Sequence, residues 1–350
     1  MVKDKSYVRA TFTMRFLSLA AMTTIPIILR SNHLSVVQIG LLSAAIWLGS
    51  GLGTIISMVR PMSLWKASLL GIALTSMSFA AISRVVWVGL FFTLGLGLSM
   101  VEIPSLDAAR SHGSTGIYSY YSSLGLATLI ASTAMPVLLY ASRTVALLIL
   151  AIVPLLGVPA DRSENHARPF SDSHLLKLKQ NYAGLFVSAF LVYMAYYFVT
   201  TFFGVRLMDL GYPAWLSQGS FIAIFLTSFL IRLLHPAQLI GVRRLMGISL
   251  LSFLALTLPM PMPIFGLVGL GLSHGLFPVA ISLKLVSEHP SDFAVVNVVV
   301  LSSTGFASFL APLIGGYTVS ALGFSGTVLL FSAFLLPLLM KKGAKDEFEG

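Results

Sequence analysis

Two charged residues, Arg15 and Glu102, lie inside long apolar segments of the sequence. Each is about four residues, or roughly 6 Å of helix, from the same end of its segment. A charge in an apolar layer is costly unless it is paired, so such residues often mark a binding site or an ion pathway. In the functional interpretation, Glu102 takes up a proton in one state and frees Arg15 to bind an anion. In the structural interpretation, Arg15 reaches the lipid headgroups and Glu102 is only its partner.

His274 is a third candidate for chemistry, because an imidazole exchanges protons near neutral pH. It lies in the second copy of a ten-residue repeat, in which six of the ten positions of 95–104 recur in 269–278. In this alignment Glu102 corresponds to Leu276, so the acidic group is present in only one copy. The alternative is a histidine that only packs between helices.

A stripe of aromatic and hydroxyl side chains is a candidate surface for binding an organic molecule. It contains Tyr193, Tyr197 and Thr200 and is preceded at helical spacing by Phe186 and Phe190. Rings that carry hydroxyl groups suit an organic ligand. Ordinary packing between helices explains the same stripe equally well.

Other kinds of site are not indicated by the sequence. No cluster of His, Asp or Glu has metal-ligand spacing, and no Ser/His/Asp set converges in a loop. Gly95 and Gly97 lack the Lys-Ser/Thr that completes a phosphate loop. We therefore expect no metal, no cofactor and no enzymatic activity.

The composition indicates that apolar membrane-spanning segments position these residues. Hydrophobic residues make up 57% of the 350 residues and charged residues only 10%, against roughly 25% charged in soluble domains. The net charge of +10 does not indicate a nucleic-acid partner, because the basic residues lie in short loops between apolar runs. The sequence has no cysteine, which excludes disulfides and thiolate sites.

The apolar runs predict an all-α polytopic membrane protein with twelve transmembrane helices. An even number of spans places both termini on one side. Of the 22 Lys and Arg residues, 17 fall on that side, four on the other and Arg15 within the first span, which predicts cytoplasmic termini. We interpret the N-terminal segment as a retained helix rather than a signal peptide. The predicted spans are 11–29, 37–58, 67–83, 85–106, 117–140, 144–160, 182–203, 214–231, 245–260, 263–283, 293–317 and 323–340.

The spans form two groups of six that resemble each other. Matching stretches recur in order at offsets of 174 to 180 residues, and a polar segment separates the groups. Six spans per unit give both units the same orientation, which defines a parallel repeat with a site near the middle of the membrane. The predicted parts are an N-terminal bundle (1–160), a cytoplasmic linker (161–181) and a C-terminal bundle with a short tail (182–350).

This layout resembles the major facilitator superfamily (MFS). Gly241-Val242-Arg243-Arg244 is similar to the end of that family's basic loop motif, and the stretch from Gly305 to Gly316 is similar to its eleventh-helix Gly/Pro pattern. The loop after the second span lacks the family's Asp-Arg pair, and the fifth span lacks the Gly-Pro-x-x-Gly-Gly pattern of drug/proton antiporters. The resemblance implies that helices one, four, seven and ten line a central cavity.

These observations together predict a compact secondary transporter that moves a small organic solute by alternating access. We expect a monomer in the cell membrane, in contact with lipid and driven by a gradient, with protons as the ion if transport is coupled. The predicted substrate and coupling residues are Arg15, Glu102, Tyr193, Tyr197, Thr200 and His274. The alternatives are an uncoupled facilitator of the same fold or, with less support, a membrane enzyme or receptor.

Overall fold

The computed structural model describes residues 6–60, 62–82, 84–158, 183–234, 242–259, 262–288 and 293–340. The predicted linker at 161–181 and the tail after residue 340 lie outside the described residues. The first half contains α1 (Ser6–Ser31), α2 (Val36–Val59), α3 (Leu64–Ile82), α4 (Val88–Ser99), α5 (Glu102–Arg110), α6 (Gly113–Ala141) and α7 (Arg143–Ile152), which continues as a 3-10 turn (Val153–Gly157). The second half contains α8 (Ala183–Asp209), α9 (Ala214–Gly219), α10 (Ile222–Leu234), α11 (Val242–Ala255), α12 (Pro263–Glu288) and α13 (Phe293–Met340).

The prediction of an all-helical membrane protein is confirmed. Among the described residues, eight helical stretches are long and apolar enough to cross a membrane, and three further apolar helices are shorter. Every predicted span overlaps a helix, whereas the count of twelve membrane crossings stays a prediction. Two predicted spans are each divided by a short break, the fourth into α4 and α5 and the eighth into α9 and α10.

The last two predicted spans are joined by a single residue rather than by the expected short loop. Gly323 has φ 71° and ψ 173° inside α13, a conformation that side chains with a Cβ rarely adopt. The chain reverses there, because Gly315 and Phe331, each eight residues from Gly323, both lie against Phe198. The two arms of α13 thus form a hairpin on one side of α8.

Glycines allow α4 to approach its neighbours closely. A Cβ on Gly95 would overlap the backbone carbonyl of Ile46 in α2. A Cβ on Gly97 would lie 2.9 Å from the carbonyl oxygen of Gly71 in α3. In a membrane, helices associate largely through close packing of this kind, because lipid provides little hydrophobic driving force. The repeated Gly-x-Gly of the sequence is therefore a packing element in its first copy.

Gly95→Leu is expected to destabilise the first half of the protein. The new side chain cannot be accommodated without moving the α2 backbone, and overpacking costs about 1–3 kcal/mol or more. The measurement is the thermal unfolding temperature in detergent. Gly247→Leu is the matched control, because no atom lies within 4 Å of a Cβ at that helical glycine. Equal unfolding temperatures for the two variants would contradict the packing role.

The two halves of the chain meet at the end of the bundle away from the start of α1. There Arg30 Nη2 of α1 lies 2.7 Å from Asp209 Oδ1 of α8. A Cβ on Gly40 of α2 would lie 3.0 Å from Cα of Gly316 in α13. Arg30 and Asp209 each lie at the end of the first helix of their half, and Gly40 lies near the start of the helix that follows α1. The contacts therefore lie at the same end of the bundle. We call this end of the bundle the closed end. The opposite end, where α1 begins, is called the terminal end.

Two side-chain contacts between the halves reinforce the closed end. The Gln218 amide donates a hydrogen bond of 2.8 Å to the Thr23 hydroxyl, and both residues are buried. The rings of Tyr140 and Trp215 meet edge to face at 6.1 Å between centroids. A buried hydrogen bond of this type is costly to break without a substitute partner. The closed end is therefore held by a specific polar contact in addition to apolar packing.

Candidate functional site

A cavity of about 510 Å³ lies between the two halves. Its wall combines residues of α1, α2, α4, α5 and α6 from the first half with residues of α8, α12 and α13 from the second. Cavities of roughly 300–1,000 Å³ suit small organic ligands. The walls are mainly apolar and aromatic, and the charged groups that face the cavity are Arg15 and Glu102.

Glu102 reaches the cavity from a break in the helix. It is the first residue of α5, and α4 ends three residues earlier at Ser99. Pro104 has no N–H to bond the Met100 carbonyl, as a helix would require, and the Ser57 hydroxyl donates to that carbonyl instead at 3.2 Å. The carboxylate therefore lies at a kink between α4 and α5, where Met100 and Val101 keep helical backbone angles.

Arg15 faces the same cavity from the third turn of α1. Its Nε is buried and has no hydrogen-bond partner among the described residues. Within these residues no ion pair closer than 4 Å joins Arg15 to Glu102, although the two charges attract each other across the cavity. The predicted direct pairing stays a prediction. Because Arg15 belongs to the cavity wall, its guanidinium can bind an anionic group of a ligand.

An aromatic wall faces the charged one. Tyr193 and Tyr197 of α8 line the cavity, and Tyr197 meets Trp47 of α2 edge to face at 4.7 Å between ring centroids. His274 of α12 also lines the cavity, stacks on Tyr196 at 3.6 Å and meets Tyr193 edge to face at 5.4 Å. The histidine is thus both a packing residue and part of the wall.

The structure brings five of the six predicted site residues to this cavity. The exception is Thr200, which is fully buried and does not belong to the cavity wall. Its hydroxyl donates to the backbone carbonyls of Tyr196 and Tyr197 at 3.0 and 3.2 Å. Phe186 and Phe190 are also absent from the wall. The stripe on α8 is thus longer than the cavity that it borders.

The structure pairs the residues of the two repeat copies differently from the sequence alignment. Leu98 and Glu102 line the cavity in the first half, and His274 and Pro278 line it in the second. Both pairs are 176 residues apart (274 − 98 and 278 − 102), whereas the sequence match gives 174. The contacts agree, because a Cβ on Gly53 would meet Ser99 and a Cβ on Gly275 would meet Ser228. The cavity position equivalent to Glu102 is therefore Pro278 rather than Leu276.

Sequence reasoning missed the contributions of α2, α6 and the first arm of α13. Their polar and aromatic members in the wall are Trp47, Ser50, Thr54, Tyr120, Tyr121, Ser302, Thr304, Phe306, Ser308 and Phe309. The sequence contained a hint of these wall residues, because the matching Ser-Ser pairs in the fifth and eleventh predicted spans lie beside or among them. Those pairs indicated only the repeat, since a serine inside a helix bonds its own backbone as readily as a ligand.

The cavity is built for binding an organic molecule. Among the described residues its wall offers one cationic and one anionic group, together with hydroxyl groups from serine, threonine and tyrosine and with aromatic faces. Within the described ranges no group of three or more His, Cys, Asp or Glu could hold a metal ion. Its wall combines apolar and aromatic surfaces with polar side chains from both halves, a composition that supports recognition of an organic ligand.

Comparison with solved structures identifies the fold. The chain is similar to the nucleoside transporter NupG, with 14% identity, a TM-score of 0.74 and coverage of 97% of this chain and 98% of that one. It is similar to a POT family transporter in complex with 5-aminolevulinic acid, with 12% identity, a TM-score of 0.74 and coverage of 96% and 94%. It is also similar to the human organic anion transporter MFSD10, with 17% identity, a TM-score of 0.65 and coverage of 97% and 99%.

These similarities concern structure and not sequence. No protein-family model matches the sequence, and no curated protein matches it. The coverage is nearly complete in each structural comparison. The chain therefore has the fold of major facilitator superfamily transporters and is a multi-pass membrane protein.

Proposed function

We propose that this protein is a secondary transporter that moves a small organic solute by alternating access. The observation that carries the proposal is a cavity between two halves that touch at one end. An interface of this type can rock about a central site, so that the cavity faces each side of the membrane in turn. The proposed architecture is twelve spans in two parallel six-helix bundles, 1–160 and 182–350, joined by the linker 161–181.

The proposed setting is the cell membrane, with a monomer whose termini are cytoplasmic. The support is the distribution of basic residues, 17 of 22 on the side of the termini, because positive loops are retained in the cytoplasm. The terminal end of the bundle, to which Glu102 and Arg15 are nearest along their helices, then faces the cytoplasm. The cavity in the present state would accordingly load or release solute on that side.

The energy source that we propose is a gradient of the substrate or of protons. In the coupled mechanism, Glu102 binds a proton in one state, and the loss of its charge leaves Arg15 free for an anionic group of the substrate. His274 lines the same cavity and is the second proposed proton carrier. The polar atoms of Tyr193 and Tyr197 would orient the substrate, with Thr200 supporting their backbone through its two hydrogen bonds.

An uncoupled facilitator is the alternative, and one observation favours it. Glu102 faces the same cavity as Arg15, and a nearby positive charge stabilises the charged form of a carboxylate. A carboxylate held in its charged form would neutralise Arg15 without carrying protons. Transport would then follow the substrate gradient alone.

The test of transport is a ligand screen followed by reconstitution. Thermal shift of the purified protein against metabolites and drugs across pH identifies compounds that bind. Uptake of those compounds into proteoliposomes, compared with empty liposomes, then measures transport. Compounds that bind but never cross the membrane at a rate above the empty liposomes would exclude transport and favour a receptor or enzyme.

Glu102→Gln is expected to abolish accumulation driven by a proton gradient while exchange of substrate across the membrane continues. Glutamine keeps the shape of the side chain but cannot release a proton. The measurement is uptake into proteoliposomes with and without an imposed pH gradient. If the variant still accumulates substrate when the gradient is imposed, Glu102 is not the proton carrier, and His274 becomes the candidate. A wild type that does not respond to the gradient would instead indicate the uncoupled facilitator.

A further inference from the structure

The cavity has an edge made of side chains that are also exposed on the outside of the bundle. Leu48 and Ile55 of α2 are 51% and 57% exposed, and Phe306 of α13 is 57% exposed. All three belong to the cavity wall. Large apolar side chains that are both exposed and part of a cavity indicate that the cavity opens to the outside between them. We call Leu48, Ile55 and Phe306 the apolar lips of this opening.

The direction of these side chains follows from helical periodicity. Leu41, Leu48 and Ile55 are seven residues apart, so they lie on nearly one face of α2. Leu41 is exposed but is not part of the cavity wall, so this face points out of the bundle. Phe306 and Tyr317 are eleven residues apart, about three helical turns, and Tyr317 is likewise exposed outside the cavity.

The tight packing of α2 against α13 at the closed end is not continued at the cavity, where glycines of both helices border open space. At the closed end, a Cβ on Gly40 would overlap the Pro312 carbonyl. Further along the same two helices, no atom lies within 4 Å of a Cβ placed on Gly51 or on Gly305. Both glycines belong to the cavity wall. The two helices therefore form a slot, which we define by Leu48, Gly51, Ile55, Gly305 and Phe306.

Arg15 faces the space behind this slot, and its Nε is buried without a hydrogen-bond partner among the described residues. A cavity with a cationic group inside and an apolar opening in its side matches a molecule with an anionic head and an apolar chain. Acyl chains of the membrane are the natural environment of the lips, because exposed leucine, isoleucine and phenylalanine side chains favour lipid over water.

We propose that the slot between α2 and α13 opens the cavity sideways to the apolar layer of the membrane, and that the substrate is an anionic amphiphile. Its head group binds Arg15, and its apolar chain lies in the slot against Leu48, Ile55 and Phe306. The glycines at 51 and 305 leave room for the chain. The identification of this ligand as a substrate rests on the proposed transport function, whereas the lateral opening does not.

Lateral access is tested by fluorescence quenching of Trp47, which lines the cavity. Trp65, Trp87 and Trp215 are replaced by Phe, so that Trp47 is the remaining tryptophan of the four in the chain. The protein is placed in nanodiscs of phosphatidylcholine with brominated or unbrominated acyl chains. We expect brominated chains to quench Trp47, and the double variant Gly51→Leu/Gly305→Leu to lose most of this quenching. Gly247→Leu, an open glycine outside the cavity wall, is the control and should keep it.

The substrate class is tested by thermal shift with butyrate, octanoate and dodecanoate. We expect stabilisation to rise with chain length in the wild type, and this rise to disappear in the Gly51→Leu/Gly305→Leu variant and in Arg15→Gln. Gly247→Leu should behave as the wild type.

Each of the two experiments has a result that overturns the part of the proposal that it tests. Equal Trp47 fluorescence in the two kinds of nanodisc, or quenching that survives both leucines, overturns lateral access. Stabilisation that is absent or independent of chain length overturns the amphiphile as ligand. Neither result bears on whether the protein transports another solute, which the proteoliposome experiment measures separately.

Discussion

Arg15→Gln is expected to weaken ligand binding in the cavity by about 10- to 100-fold, since a hydrogen bond to a charged group contributes roughly 1.5–3 kcal/mol. The guanidinium faces the cavity with a buried Nε that has no partner among the described residues. Glutamine retains a polar side chain but removes the charge. Removing Arg15 takes one charge out of the apolar layer but also removes its attraction to Glu102. These two effects oppose each other, so the unfolding temperature of the ligand-free variant should change little.

The measurement is the dissociation constant of a compound that stabilises the wild type, with the ligand-free unfolding temperature as the second readout. Arg15→Lys should lie between the two, because lysine keeps the charge but lacks the planar guanidinium. Arg206→Gln is the control, since Arg206 stacks over Phe324 at 5.2 Å and is not part of the cavity wall. A variant that binds normally but unfolds at a much lower temperature would show that Arg15 is a structural residue.

Gly40→Leu is expected to shift the protein towards a state that is open at the closed end. Gly40 lies where α2 of the first half meets α13 of the second, and a Cβ there would overlap the Pro312 carbonyl. The clash is relieved when the halves separate, so the fold of each half need not change. Gly95→Leu introduces a similar clash within the first half and should lower stability without moving the halves apart.

Spin labels can measure this shift directly, because the natural chain contains no cysteine. Ala141→Cys and Leu210→Cys place one label on each half beside the closed end, at two exposed positions. The interlabel distance should increase in Gly40→Leu and stay unchanged in Gly247→Leu. An unchanged distribution in a well-folded Gly40→Leu protein would mean that α2 and α13 do not control closure.

The sequence could predict the helices and the charged residues of the site for simple physical reasons. A helix that crosses a bilayer requires a long apolar run, and such runs can be seen directly in the sequence. Arg15 and Glu102 stand out because charges are rare in such runs. Tyr193 and Tyr197 were found from helical spacing, but the same spacing could not show that Thr200 turns its hydroxyl to its own helix.

Other features depend on contacts between distant parts of the chain. Pro104 is visible in the sequence, but the partner of the carbonyl that it leaves free is Ser57, which lies 43 residues away from Met100. A glycine looks the same in a sequence whether it packs tightly, as Gly95 does, or faces open space, as Gly51 does. The equivalence of the two copies at the cavity was hidden for the same reason, since contacts with neighbouring helices define it. The strongest sequence match differs from those contacts by two residues.

The reversal at Gly323 has a consequence for how the protein is made. Because one residue joins the two arms of α13, the ribosome delivers them with almost no polar segment between them. Neither arm can remain long in the translocation channel alone, so the two should partition into lipid together as a preformed helical hairpin. The first arm carries one lip of the slot, and a late step of biosynthesis therefore completes the wall through which we expect the ligand to pass.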